Sequence, residues 1–334
     1  MHPELFEIPF LHITVKSYGT MMVIGFLVAV SLMRRMMKKA GQNPEWITNG
    51  ALYALMAGVV SSRVFYVLHH SSQFEGNFFR VFAVWEGGLE FLGGVLGAVG
   101  FLLVYCWVKK LPYRLYFDVL AVGLMVGAGF GRIGCLLNGC CYGRPADVPW
   151  AIRFPYNSLA YQSQVYPDPA RGRTEPRLKL PAEYFGWQDR QGGWIAATEA
   201  NKYNAPLKPF DKLTDAQKRA VTQGDYRCLP VHPTQIYSSI NLFAMAAMAY
   251  GLRRWLGQRM PGAAMSMTLM VYGVVRFCEE MLRDDNPFEY AWWMLYRGGT
   301  ISQNISIYLF LVGGVLLFVF AIKPRILEKI YPSR

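Results

Sequence analysis

Apolar positions in this 334-residue chain fall in long blocks rather than alternating with polar ones. Seven blocks stand out, at 18–33, 48–68, 88–107, 115–137, 236–256, 263–282 and 301–322. A helix needs roughly 20 mostly apolar residues to cross a hydrocarbon core about 30 Å thick, and these blocks approach that length. The pattern predicts an all-α integral membrane protein of about seven transmembrane helices. Four would lie within 1–137, an irregular extracytoplasmic head would occupy 138–231, and three more with a cytoplasmic tail would fill 232–334. The head segment is rich in Pro, Gly, Tyr, Gln and charges of both signs. It predicts one short helix near Thr214–Val221, and its Pro-rich, basic stretch from Pro155 to Pro181 reads as irregular loop.

The chain is 53% hydrophobic and carries a formal charge of +12. Such a charge raises the question of nucleic acid, but the cations sit at helix ends instead of forming a patch. Arg34, Arg35, Lys38 and Lys39 follow the first block; Lys109, Lys110 and Arg114 follow the third. Arg253, Arg254 and Arg259 follow the fifth, and Lys323, Arg325, Lys329 and Arg334 close the chain. Seven alternating helices put all four groups on one side, which the positive-inside rule makes cytoplasmic. The expected partner is therefore the lipid bilayer of a cytoplasmic membrane and not nucleic acid, with the N-terminus outside and the C-terminus inside. Met1 to Lys16 lacks the basic leader and short apolar core of a cleavable signal peptide.

Ionisable groups in hydrocarbon are costly and usually face a protein interior or a watery cavity. Arg63, Arg132 and Arg276 lie in the second, fourth and sixth blocks, each five to six residues before the outer end. At 1.5 Å per residue that is about 8–9 Å below the surface, near the phosphate level of the outer leaflet. Tyr18, Glu90, Gln235 and Tyr237 open the helices that enter from outside at that level. Glu280 follows Arg276 at i, i+4 and shares a face with it and Tyr272. Each arginine alone could snorkel or neutralise a carboxylate. Together they point to a pocket for an anionic ligand, because the planar guanidinium fork donates bidentately to phosphate. Glycines at 87, 88, 93, 94 and 97, and at 127, 129, 131 and 134, fit close helix packing. Neither a GxxxxGK[ST] loop nor HExxH occurs, so no nucleotide, metal or other cofactor is expected. Cys106 and Cys278 read as packing residues. Cys135, Cys140, Cys141 and Cys228 lie toward the outer face, where Cys228 could pair with Cys140 or Cys141. With His232 they fit no standard zinc spacing.

These residues give the chain a resemblance to the prolipoprotein diacylglyceryl transferases of bacteria. Gly131-Arg132-Ile133-Gly134, with Asn138-Gly139 and Tyr142-Gly143-Arg144, looks like the family signature around its phospholipid-binding arginine. His232-Pro233-Thr234-Gln235-Ile236-Tyr237 and Tyr272-Gly273, Arg276-Phe277, Glu280 look like the motifs of the fifth and sixth helices. Tyr18-Gly19, Arg63, Gly87-Gly88, Gly93-Gly94 and Gln303 to Ile307 fall in the expected order. The resemblance covers nearly the whole chain except about 156–228, which is longer than usual.

The resemblance implies that phosphatidylglycerol donates its diacylglyceryl group to the lipobox cysteine of a preprolipoprotein, releasing glycerol phosphate. Arg132, Arg276, Glu280, Tyr18 and Glu90 are the expected catalytic residues. Arg132, Arg63, Asn138, Gly143, His232 and Gln235 are expected to bind substrate. The chain departs from the family in three places. Leu92 stands where a histidine usually precedes Gly93-Gly94, Cys135 where Asn is usual, and Cys140 where an acid commonly follows Asn-Gly. Tyr308 stands where the family tends to have Pro. With that histidine absent, Glu90 is the favoured candidate base; the alternatives are an arginine cluster that lowers the peptide thiol's pKa with no dedicated base, His232, or a Glu90 that only pairs with Arg63 or Arg132. Glu280 is expected to orient Arg276. Two alternatives stay open: a silent or divergent paralogue, and a membrane protein that binds or transports phospholipid.

Overall fold

The computed structural model describes residues 4–8, 13–74, 78–83, 87–257, 259–288 and 291–330. Four helices come first: α1 (Ser17–Lys39), α2 (Glu45–His69), α3 (Phe91–Val108) and α4 (Tyr113–Asn138). Two short ones follow, α5 (Leu159–Val165) and α6 (Asp215–Thr222), and then α7 (Thr234–Leu256), α8 (Ala263–Leu282) and α9 (Ile301–Ile330). Each of the seven apolar blocks is thus a helix. The chain is mostly rather than purely helical, a correction to the all-α expectation. Glu4–Ile8 (β1) pairs antiparallel with Ile13–Lys16 (β2), and Gly186–Gln188 (β3) with Trp194–Ala196 (β4).

By length and composition, four helices can cross a membrane: Ser17–Lys39, Glu45–His69, Tyr113–Asn138 and Ile301–Phe320 within α9. Helix α3 is shorter but apolar over Leu92–Val108. Polar side chains lower the apolar content of the other two. Thr234, Gln235, Ser238 and Ser239 open α7, and Arg276, Glu279 and Glu280 sit in α8. Those polar groups are mostly buried, so they face protein.

The chain divides into two compact units. The first comprises Met1–Gly25, Met125–Met245 and Thr268–Val315; the second comprises Phe26–Leu124, Ala246–Met267 and Leu316–Arg334. In the first, α4 and α7 approach closely at Gly129. A Cβ there would come within 2.8 Å of the Phe243 ring, and the Gly129 carbonyl accepts from Ser239 Oγ at 3.1 Å. Small residues that let backbones meet are the usual solution for packing helices without a hydrophobic gradient between them.

The polar segment also lies in the first unit, and it has a core of its own. Phe154, Tyr161, Val165, Leu180, Tyr184, Phe185 and Val231 are among its buried residues. Helix α5 begins at Ser158, whose hydroxyl accepts from Tyr161 N, and Tyr161 Oη donates to Tyr226 O at 2.8 Å. The predicted helix near Thr214–Val221 is α6. Its start is a reciprocal capping box, Thr214 accepting from Gln217 N at 3.2 Å and Gln217 from Thr214 N at 3.1 Å. The stretch from Pro155 to Pro181, expected as irregular loop, instead contains α5, and the part beyond it is held by charge. Arg177 donates to both oxygens of buried Asp284, and Arg171 and Arg173 lie at 3.7 and 3.9 Å from it. All six cysteines are free, which overturns the pairing proposed for Cys228. Its thiol instead donates to Gln164 Oε1 at 3.5 Å.

In the second unit, Asp118 of α4 fixes the start of α8. Its carboxylate accepts from Gly262 N at 2.7 Å and from Met265 N at 2.9 Å, and it is buried. These are orphan donors of a helix start, which need an acceptor when water is absent. Asp118→Ala should cost about 1–3 kcal/mol, the penalty for buried donors left without a partner. Asp118→Asn, which keeps one acceptor, should cost less. Thermal unfolding in detergent measures both, and an unchanged midpoint for Asp118→Ala would rule out this role.

Candidate functional site

The end of α4 carries the residues on which the site is built. Arg132 lies about one turn before Cys135, and Asn138 ends the helix. Gly139 follows in the left-handed region at φ +78°, which a residue without Cβ adopts freely. Gly139 N donates to Leu136 O at 3.3 Å and Cys140 N to Cys135 O at 3.1 Å. This bond pair is a Schellman ending, in which a side-chain contact usually forms between the third residue from the end and the second beyond it. Here those residues are Cys135 and Cys140, so the turn brings two thiols together. Cys141, also left-handed at φ +59°, brings a third, and the three Sγ atoms lie within 4.8 Å of one another.

The start of α7 holds this turn in place. Thr234 Oγ1 donates to Cys141 O, and Gln235 Nε2 to Cys140 O, each at 2.7 Å. The chain then passes Gly143, where a Cβ would come within 2.5 Å of His232 O. His232 N donates to Arg144 O at 3.0 Å, and its Nδ1 lies 3.4 Å from Tyr237 Oη. The neighbouring Cys135 and Cys140 thiols, together with Arg283 and Arg132, hold the Cys141 thiol well below the usual thiol range.

Helix α8 supplies the second arginine. Arg276 Nη2 forms an ion pair with Glu280 Oε2 at 2.6 Å, and both side chains are buried. Glu280 Oε1 accepts from Thr300 Oγ1 at 2.9 Å and from Asn286 Nδ2. Thr300 is itself fixed, because it forms a reciprocal capping box with Gln303 at the start of α9. Every strong interaction of Glu280 is thus with a donor that holds it still. Arg276 Nη1, by contrast, is buried without a partner. A cavity of about 40 Å³ lies beside it, lined by Arg132, Tyr272, Arg276 and Glu279 among others. No hydrogen bond or ion pair joins the Arg132 guanidinium to a described residue. An unsatisfied guanidinium edge beside a cavity is a donor that a phosphate oxygen completes.

Of the residues singled out in the sequence, Arg132, Tyr272 and Arg276 line one cavity, and Glu280 fixes Arg276. Asn138, Gly143, His232 and Gln235 sit at the junction of α4 and α7 in the same unit. Tyr18 belongs there too: it is 40% exposed and shares an electrostatic neighbourhood with Arg132 and the three cysteines. Arg63 and Glu90 belong to the other unit. Arg63 donates to the carbonyls of Val81, Gly87, Gly88 and Arg80 at 2.6–3.0 Å, so four bonds occupy its fork. Glu90 precedes α3 and meets His69 Nδ1 at 2.8 Å. Asn286, Thr300 and Arg283 were not anticipated. The Thr300-x-x-Gln303 spacing is a helix-start signal that could have located one of them.

Fold and site together define a helical membrane protein with a buried Arg276 and a half-buried Arg132 lining one cavity in the unit that holds the folded polar segment. The family model described as prolipoprotein diacylglyceryl transferase matches residues 3–319, and the chain belongs to this family. Three of its similar relatives bear the name phosphatidylglycerol–prolipoprotein diacylglyceryl transferase. The one from Paraburkholderia phymatum is 26% identical, covering 91% of this chain and 89% of the relative. That from Clostridium tetani is also 26% identical, covering 96% and 98%. That from Geobacter sulfurreducens is 35% identical over 55% of this chain and 72% of its own length.

Proposed function

We propose that the chain transfers the diacylglyceryl group of phosphatidylglycerol to the cysteine thiol of a preprolipoprotein lipobox. The observation that supports this most directly is the unpartnered, buried Nη1 of Arg276 beside a cavity that Arg132 also lines. In the reaction a C–S bond forms as the bond from the diacylglyceryl carbon to phosphate oxygen breaks. Negative charge develops on the departing glycerol phosphate, and the thiol proton leaves to a base. Arg132 and Arg276 are placed to receive that charge, and charge-directed donors act most strongly where water is excluded. Glu280 orients Arg276, and Arg63 organises the backbone before α3. Asn138, Gly143, His232 and Gln235 shape the substrate side of the pocket, with Tyr18 at its edge.

Glu90 is the proposed base in the absence of the family histidine at Leu92. A thiol with its usual pKa near 8.5 needs help to ionise at neutral pH. The pairing of Glu90 with His69 gives this carboxylate a titratable neighbour through which a proton could move. We place the reaction at the outer face of a cytoplasmic membrane. Seven spanning helices, with Lys39, Lys110 and Arg259 inside and the folded polar segment outside, account for the cation distribution.

Four outcomes test this reading. Arg132→Lys and Arg276→Lys should each lose about 100-fold in transfer from phosphatidylglycerol to a lipobox peptide, the scale for losing one charge-stabilising donor. Near-normal rates in either would remove that arginine from the phosphate role. Glu280→Gln should weaken lipid binding with little change in the pH profile; loss of the profile's basic limb would make Glu280 the base instead. Glu90→Gln should slow transfer near neutrality and recover toward pH 9, where the thiolate forms unaided. An unchanged profile would eliminate Glu90. Reporter fusions should place Tyr184 opposite Lys39, Lys110 and Arg259, and a cytoplasmic Tyr184 would sink the topology.

A further inference from the structure

We propose that Cys135, Cys140 and Cys141 form a trigonal trithiolate site for a soft monovalent cation, copper(I). Their three Sγ atoms lie within 4.8 Å of one another. Three sulfurs around one ion at a metal–sulfur distance of about 2.3 Å stand about 4.0 Å apart, so a small inward movement closes the set. The backbone already imposes this arrangement. The Schellman ending folds Cys140 back onto Cys135, and Cys141 holds a left-handed φ of +59°. That conformation is disfavoured for a residue that carries a Cβ. Thr234 and Gln235 clamp the carbonyls of Cys141 and Cys140 and so keep the turn.

The donor set selects the ion. Three sulfurs exclude magnesium, calcium and manganese, which take oxygen ligands, and favour thiophilic ions. Among the described residues no histidine or carboxylate joins the cluster. His232 faces Tyr237, and Cys228 faces Gln164. Structural zinc sites are closed by four ligands, which this set does not supply, whereas a monovalent soft ion is satisfied by three. Arg132 and Arg283 both act electrostatically on Cys141, although Arg283 also holds Asp285. A positive neighbourhood further favours the cation of lower charge. Access comes through an open cavity of about 360 Å³ that Cys140 and Cys141 line with Gln162, Ser163 and Asp168.

The test uses the purified full-length protein in detergent, reduced and kept anaerobic. Copper(I) is titrated in competition with a chromophoric copper(I) chelator, so the readout does not depend on transfer activity. The expected result is one tightly held copper per chain with a thiolate-to-copper charge-transfer band, and three sulfur neighbours by X-ray absorption. Cys135→Ser, Cys140→Ser and Cys141→Ser should each lose more than the roughly 10–100-fold that disturbing an outer-shell partner costs a metal site. Cys106→Ser, Cys228→Ser and Cys278→Ser should bind as the parent does. Absence of binding, or binding that persists in Cys140→Ser, overturns the proposal. So does a sulfur count below three in the parent protein, a measurement that needs no variant to fold. Preference for zinc with a fourth ligand overturns it as well.

Discussion

The buried carboxylate of Glu280 is the constraint on which the first unit's site depends. One of its oxygens holds Arg276 at 2.6 Å, and the other takes Thr300 and Asn286. A carboxylate removed from water is tolerated only where charge and hydrogen bonds replace its hydration, and here they do. The same contacts tie α8 to the start of α9 and to the turn at 283–286. Because Glu280 occupies one edge of the Arg276 fork, the other edge stays fixed in space yet chemically open. A freely moving arginine would snorkel toward water. A fully paired one would have no donor left for a ligand.

This contrast distinguishes the arginines of the two units. Position along a helix gave Arg63, Arg132 and Arg276 the same expected depth, and depth alone cannot tell a ligand-binding guanidinium from a structural one. Partners decide it. Four carbonyls occupy Arg63, which is also stacked near the rings of Tyr66 and Phe74. Carbonyls from the left-handed pair Gly87 and Gly88 reach that fork because neither residue carries a Cβ. The glycines that read as packing devices thus also present backbone to a cation.

The helices were legible in the sequence because a membrane span demands a long apolar run; the apolar runs recur as α1 to α4 and α7 to α9, four of them long and apolar enough to span among the described residues. The i, i+4 relation of Arg276 and Glu280 was legible for the same kind of reason, being local. What could not be read was the fold of the polar segment. Its order comes from pairs far apart in the chain, such as Tyr161 with Tyr226 and Arg177 with Asp284. Arg171, Arg173 and Arg177 look like a solvated basic loop until the single buried Asp284 is known to gather them. Helix α5, only seven residues long, leaves no periodic signal strong enough to separate it from its Pro-rich surroundings.

The departures from the family pattern gain meaning once they are located. Leu92 lies at the start of α3, half exposed, in the unit that holds Glu90 and His69. Cys135 and Cys140, separate in the sequence, converge with Cys141 on one turn of the other unit. The exchange of two oxygen- or nitrogen-bearing side chains for sulfur has therefore altered a single surface, directly after Arg132. It left the arginine pair and its supporting carboxylate in place. Stability alone would keep the buried Arg276–Glu280 pair even in a silent paralogue, since half of such a pair is more destabilising than none. It does not extend to the open edge of Arg276 or to Arg132, which contribute no hydrogen bond to the fold among the described residues. The open edge of Arg276 beside half-buried Arg132 leaves donors free for an anionic ligand, in a chain that belongs to a phospholipid-using family. Stability of the fold does not account for those free donors, and the wall next to them carries sulfur.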